Sequence, residues 1–447
     1  MKDYRSVADT VAEEIGAGRL KPGERLPTQR EFARKYGIAN STATRVYQEL
    51  ARRGLTVGQV GRGTFVRDAS GAAAVPALSE PADSRVDLEL NYPVVPGQAE
   101  LLSAGLGRLA RPALLETVLA PVGAAGTAAT REAAADLLAR GGWRPDPARV
   151  LFAGGGRQAI SAAVAALTRP GARLGVEELT YPVLKAIAAK LGVTLVPLAM
   201  DEAGLIPEAV AEAHRAEPLH AVYVQPVLHN PLSLAMPADR LDHLAETLLT
   251  CGIQAIEDAV WSFLRDDLPP LASRAPERTV LVDSLSKRLS PGLSLGFAVA
   301  PPDVTGRVAA ALRSGGWMPM RFPLEAMAQW QADGAVEALV RAKQRQAAAR
   351  QEIARSHLGD FVIRADPASY YCWWELPRPW RADTFVAAAA RHGIAVTPAA
   401  AFSVGRGHRG PHAIRLGLAS PATETLTRAL TTLADLARSA PDDLAQD

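Results

Sequence analysis

Five short segments carry residue types that together suit one kind of ligand. Lys287 stands in DSLSKRLSPG, after an apolar run and between serines. Asp258 ends the run AIED, Asn230 stands in YVQPVLHNP, Tyr181 precedes Pro182, and Gly154-Gly155-Gly156-Arg157 follows VLFA. A lysine amine forms a Schiff base with an aldehyde. A carboxylate pairs with a protonated ring nitrogen and strengthens the ring as an electron sink. An asparagine donates to a phenolic oxygen, and an aromatic side chain stacks on a ring. Glycine amides at a helix start hold phosphate, with Arg157 adding charge. The set fits an aromatic aldehyde that bears a phosphate. Singly each signal is ordinary, because a lone lysine is usually a surface lysine and a triple glycine usually a turn. Their order and register carry the reading.

The elements around these residues form an α/β pattern. Strand-like apolar runs stand at Val150–Ala153, Arg173–Glu177, Thr194–Leu198, Ala221–Gln225, Ile253–Glu257, Val280–Asp283 and Leu295–Ala300. Helical stretches separate most of them, which predicts a mainly parallel, doubly wound, seven-stranded sheet. The candidate residues all fall at carboxyl ends of strands, where such a sheet places ligands. From about residue 305 the chain reads as helical, then ends with YYCWWELP, a further helix and AIRLGLAS. This predicts a large domain over 87–304, with bridging helices and a small α+β domain over 305–447. Residues 69–86, DASGAAAVPALSEPADSR, are small, Pro-containing and aperiodic, and read as a linker.

The head, residues 1–68, has a different character. It holds 13 Lys+Arg against 8 Asp+Glu, a net of +5 in a chain whose total is +2. A basic head on a slightly acidic body makes nucleic acid a candidate partner. Tyr4, Val7, Ala8, Val11 and Ile15 recur at helical spacing and predict a helix over 3–17. Thr28 followed by Glu31 is a capping box, so a second helix starts near residue 29 and breaks at Tyr36-Gly37. A third runs from about Ser41 to Arg53. Leu55–Val57 and Thr64–Val66 read as strands joined by a turn over Gly58–Gly63. Three helices and a hairpin predict a winged helix-turn-helix whose third helix enters the major groove of double-stranded DNA. Asn40, Ser41, Thr42 and Thr44 stand at its start, with Arg45 supplying charge; Gly61-Arg62-Gly63 brings backbone amides to phosphate.

Composition narrows the class. Of 447 residues, 48% are hydrophobic and 21% charged, which is ordinary for a globular chain of several domains. No apolar run approaches the roughly 18–20 residues of a membrane span. The start, MKDYRSVADTVAEEI, has no apolar signal core. Cys251 and Cys372 form no CxxC, which argues against a disulfide framework or a cysteine-rich metal site and predicts a cytoplasmic protein with no metal.

The run GRLKPGERLPTQREFARKYGIANSTATRVYQELARRGLTVGQVGRGTFV resembles the GntR-type winged-helix regulators. That resemblance makes Arg30, Ser41, Thr42, Thr44 and Gly63 DNA contacts. Over roughly 88–435 the chain is similar to fold-type-I aminotransferases, and the two halves together resemble the MocR subfamily of GntR regulators. The resemblance implies pyridoxal 5′-phosphate as cofactor and a homodimer. It makes Lys287 the Schiff-base lysine, Asp258 the ring-nitrogen partner, Asn230 the contact to the ring oxygen and Tyr181 the stacking ring. Gly155, Gly156, Arg157, Ser284 and Ser286 would surround the phosphate, and Arg415 in AIRLGLAS would bind an amino-acid carboxylate. Four places depart from the family pattern, the first at Asn40, where the head's family often has arginine. Ser294 replaces a phosphate-clamping arginine, Val260 and Trp261 stand where a tyrosine is usual, and a partner-reaching tyrosine is replaced near Pro121. The implied function is a DNA-binding regulator that senses the cofactor or an amino acid. Two other readings stay open: a working aminotransferase with an accessory head, and a degenerate body that only dimerises.

Overall fold

The computed structural model describes residues 4–16, 19–21, 23–52, 55–59, 63–66, 86–405 and 410–439. Two compact units divide the chain, a head ending at residue 79 and a body beginning at residue 80. The linker expected at 69–86 lies outside the described residues except for Val86, and so do Gly61 and Arg62 of the expected wing tip.

The head holds α1 (Tyr4–Gly16), α2 (Gln29–Tyr36), α3 (Asn40–Arg52) and a hairpin of β1 (Thr56–Gln59) and β2 (Gly63–Val66). Thr28 caps α2 as its sequence predicts. Its backbone amide donates to Glu31 Oε2 at 2.8 Å, and its Oγ1 accepts from the Glu31 amide at 3.4 Å. Gly37 ends α2 with φ of 65°, a left-handed turn that glycine takes without a Cβ clash. α3 starts at Asn40, one residue ahead of the expected Ser41. Val7, Ala8 and Val11 of α1, Phe32 of α2, and Val46, Tyr47 and Leu50 of α3 share one buried core with Leu26 and Val66. Three short helices gain through that shared burial a stability that isolated helices of 8–13 residues lack.

In the body the seven expected strands pair into one sheet. They are β3 (Val150–Ala153), β4 (Arg173–Glu177), β5 (Thr194–Leu198), β6 (Ala221–Val224), β7 (Gln254–Asp258), β8 (Thr279–Ser284) and β9 (Gly296–Val299). Their order is β3-β9-β8-β7-β6-β4-β5. β9 alone runs antiparallel, between β8 and β3; the other pairings among neighbours are parallel. Every residue of β3, β6, β8 and β9 is buried, which explains their unbroken apolar runs. After β3 the chain turns at once into α4 (Gly156–Leu167), and after β8 into α5 (Leu285–Arg288), a single helical turn.

Beyond β9, helices at Pro302–Ser314 and Arg321–Ala332 lead into α6 (Ala335–Leu358), which is 24 residues long. A second sheet follows, of β10 (Val362–Arg364), β11 (Tyr371–Glu375), β12 (Thr397–Pro398) and β13 (Ala413–Gly417). Its order is β10-β11-β13-β12, and it is antiparallel throughout. Among the described residues no helix is long and apolar enough to cross a membrane.

Close backbone approach at the β3–α4 turn fixes one glycine. A Cβ on Gly296 of β9 would stand 2.3 Å from the Gly155 carbonyl oxygen. Gly296→Ala therefore forces the turn away from the sheet. Thermal unfolding should show a loss of about 1–3 kcal/mol, the range for overpacking. An unchanged midpoint would show that the turn yields freely.

Candidate functional site

Lys287 sits on α5 because Ser284 ends β8 and caps the turn, its Oγ accepting from the Ser286 amide at 3.3 Å. The Lys287 side chain is partly buried. It donates to the Asn91 carbonyl oxygen at 2.5 Å and lies 4.1 Å from the centre of the Tyr92 ring and 5.4 Å from that of Trp261. Burial, followed by the positive charges of Arg415, Arg157 and Lys343, pushes its pKa down to about 7. At neutral pH a large share of this amine is therefore uncharged, as a nucleophile must be.

Asp258, the last residue of β7, accepts from the Tyr223 hydroxyl at 2.5 Å and from the Val260 amide at 3.1 Å. Burial raises its carboxyl to about 6, against the pull of those hydrogen bonds, so it is ionised at pH 7 and above. Tyr223 was not among the expected site residues. Its signal is a hydroxyl in the fully buried strand AVYV, where it must find a partner.

Glycines and serines build a cradle at the start of α4. A Cβ on Gly155 would meet Ser294 Oγ at 2.4 Å, and one on Gly156 would meet Ser284 Oγ at 3.0 Å. Gly155 caps α4 with no side chain, so the first-turn amides keep their donors for an anion. Arg157 follows directly, and its charge acts on the Tyr181 hydroxyl. Arg288 does not serve this cradle, because it is held 2.7 Å from the buried Asp283. The Ser294 departure thus falls on the cradle itself, with Arg157 beside it. Pro121, by contrast, is exposed.

Arg415 and Asn230 meet, although 185 positions separate them. Arg415 donates to Asn230 Oδ1 at 3.0 Å, to Thr397 Oγ1 at 3.4 Å and to the Glu89 carbonyl. Its guanidinium stands 5.3 Å over the Phe402 ring, and its Nε is buried without a partner. The Nδ2 of Asn91 is likewise buried and unpartnered. Trp261 fills the expected tyrosine's place with an apolar ring packed on Phe263, Tyr370 and Tyr371. Asn91, Tyr92 and Lys343 carry no local signal; each joins the site from far along the chain.

In the head, Arg30 and Ser41 are exposed and Thr42 is partly so. Thr44 Oγ1 donates to Gln29 Oε1 at 2.8 Å, fixing α3 against the start of α2. Arg45 is exposed but leans toward α1, its guanidinium 5.9 Å over the Tyr4 ring. Gly63 has φ of 116°, and a Cβ there would meet Arg25 Nε at 2.7 Å. Arg25 thus braces the wing, a role its sequence context did not announce.

Comparison with known proteins agrees with both halves. Residues 3–66 match the gntR family of bacterial regulatory proteins, and residues 117–433 match the class I and II aminotransferases. The chain is 30% identical over 424 residues to the HTH-type transcriptional regulator YdeF of Bacillus subtilis, covering 94% of this chain and 91% of that one. The chain belongs to this family of HTH-type transcriptional regulators, with a gntR-family head and an aminotransferase-like body. The regulator is also 28% identical over 357 residues to the pyridoxine biosynthesis transcriptional regulator PdxR of Corynebacterium glutamicum, covering 77% and 76% of the two chains. The probable rhizopine catabolism regulatory protein MocR of Rhizobium meliloti is 24% identical over 80% of this chain and 78% of its own. In fold, an archaeal alanine:glyoxylate aminotransferase superposes with a TM-score of 0.72 at 19% identity, over 87% of this chain and 97% of that one. LysN of Thermus thermophilus gives 0.70 at 21% identity, over 80% and 92%.

The aminotransferase class I and II fold is that of enzymes dependent on pyridoxal phosphate. The regulator's residues fit that group. It offers an amine of lowered pKa, a buried carboxylate, and a cradle that admits no Cβ at Gly155. Unpartnered nitrogens on Arg415 and Asn91 remain to be satisfied.

The Arg288–Asp283 pair yields a prediction of its own. Arg288→Ala leaves a buried carboxylate without its cation, which costs about 3–5 kcal/mol. Denaturant unfolding of the body should report that loss. A change below about 1 kcal/mol would mean that the carboxylate relaxes to water.

Proposed function

We propose that this regulator binds pyridoxal 5′-phosphate covalently at Lys287, and that occupancy, by the cofactor alone or with an amino acid, sets how its head holds a double-stranded operator. The observation that carries the reading is the Lys287 amine at about 7, at the carboxyl edge of the sheet that also presents Asp258. When bound, the group supplies an aldehyde for the amine and a ring that draws electron density.

The chain's residues divide the remaining work. Asp258 holds a ring N–H with its ionised carboxylate, and Tyr223 fixes that carboxylate in place. The amides of Gly155, Gly156 and Arg157 hold the phosphate, with the hydroxyls of Ser284 and Ser286 and the charge of Arg157. Tyr181 covers the ring and Asn230 meets its phenolic oxygen. Arg415, whose Nε is unpartnered, receives an amino-acid carboxylate. Sensing requires that the effector bind one state of the regulator more tightly than the other. A homodimer presents two heads to a repeated or palindromic site. There Arg30, Ser41, Thr42 and Thr44 face the duplex, while Arg45 and Gly63 serve the flanking backbone.

The test is to add pyridoxal phosphate to the full chain, reduce with borohydride and locate the modification by mass spectrometry. Lys287 should carry it, and Lys287→Ala should lose both the modification and the absorbance change while keeping basal DNA binding. Unmodified Lys287 at saturating aldehyde would overturn the proposal. Capture also depends on pH. The amine gains a proton as pH falls through about 7 and the Asp258 carboxylate as it falls through about 6, so capture should decline steadily from pH 8 to pH 6. A flat profile over that range would contradict the assignment. For the head, Ser41→Ala with Thr42→Ala should weaken operator binding about tenfold and leave the absorbance unchanged.

A further inference from the structure

A second lysine lies behind the first. Lys343, on α6, has no solvent exposure. Its amine donates to the Lys287 carbonyl oxygen at 2.9 Å and to the Leu289 carbonyl oxygen at 2.6 Å. It makes no ion pair among the described residues. Its position is fixed from the other side as well. The Tyr370 hydroxyl lies 2.8 Å from the Lys343 carbonyl oxygen and 2.8 Å from Gln346 Oε1.

The reason for a buried amine there is in the shape of α5. A helix of four residues has no interior, so its last carbonyls have no intrahelical partner. The Leu289 amide closes one bond, to Leu285. The carbonyls of Lys287 and Leu289 point on toward α6, and Lys343 supplies donors to both. When it carries its proton, the amine also meets the negative end of the turn's peptide dipoles. The rest of α6 binds the same surroundings through amide side chains. Gln344 donates to the Phe263 carbonyl at 3.1 Å, Gln346 to that of Val94 at 2.8 Å, and Gln351 to those of Ser369 and Tyr371. Lys343 is the one among these that reaches the turn bearing Lys287.

We propose that Lys343 is the positioning residue of the covalent site: by tying the carbonyls of Lys287 and Leu289 to α6, it holds the Lys287 amine where an aldehyde reaches it. The inference rests on the reading of Lys287 given above. Lys343 also acts on the amine through charge, as one of three cations that lower it, after Arg415 of β13 and Arg157 of α4. The groups that face Lys343 itself are Arg288 of α5, whose charge lowers it, and the backbone carbonyls it donates to; burial brings it to about 7. Loosening the turn admits water to Lys287, and removing the charge relieves repulsion. Both raise the pKa of the Lys287 amine.

Lys343→Met removes donor and charge together, whereas Lys343→Gln keeps donors and removes the charge. With pyridoxal phosphate and the full chain, the Met variant should be modified at Lys287 about tenfold more slowly at pH 7.5, because both of the turn's hydrogen bonds to α6 are lost. Its capture midpoint should move to higher pH. The Gln variant should recover most of the rate but keep a raised midpoint. A general loss of stability would not separate rate from midpoint in this way. Wild-type rate and midpoint in both variants overturn the inference while leaving the Lys287 assignment intact. Failure of the wild-type chain to be modified overturns both. Should the Met variant fail to fold, the Gln variant decides alone, and an unchanged midpoint in it overturns the inference.

Discussion

A partly buried lysine amine, with cations rather than carboxylates as its charged neighbours, is the constraint on which the body is built. Desolvation alone disfavours a charged amine, and the guanidinium groups of Arg415 and Arg157 add to it. Such a group is costly to a folded chain unless it is neutral or covalently engaged. The surrounding elements are arranged so that it stays in place. The cap at Ser284 starts its turn, the Lys343 donors finish it, and the Asn91 carbonyl receives the amine.

The same edge of the sheet also gathers the opposite charge. Asp258 ends β7 and Asp283 stands one residue before the end of the adjacent β8, yet they do different things. Asp283 is bound to Arg288 and serves the fold. Asp258 has only neutral donors, Tyr223 and the Val260 amide, and so keeps a charge to offer a ligand. Two carboxylates on neighbouring strands, Asp258 opposite Val282 and Asp283 next after it, are thus distinguished by their partners. The arginines divide in the same way: Arg288 is spent on Asp283, while Arg157 remains beside the glycine cradle and Arg415 keeps one nitrogen unpartnered.

Strand positions were legible in the sequence because each buried strand is an unbroken apolar run, and all seven fall within a residue or two of where those runs stand. Thr28 and Glu31 announced their helix start through a capping box that the fold forms. The residues at the carboxyl ends of strands were legible for the same reason, since topology alone brings Lys287, Asp258 and the glycine turn to one edge. What sequence did not disclose are partners joined only by the fold. Asn91 lies 196 positions from Lys287, and Lys343 stands 56 positions beyond it in a long helix whose pattern gives no hint of a buried amine. The lean of Arg45 toward Tyr4 likewise depends on how α1 crosses α3. Periodicity sets which face of a helix is buried; it does not say which neighbour that face meets.

The central claim is electrostatic, so the most direct measurement is the titration of the Lys287 amine itself. With lysine labelled at its side-chain nitrogen and Lys287→Arg used to assign the signal, nuclear magnetic resonance reads the protonation of this one group. The account predicts a midpoint near 7. A midpoint near the ordinary 10.5 would place the amine in water and contradict it.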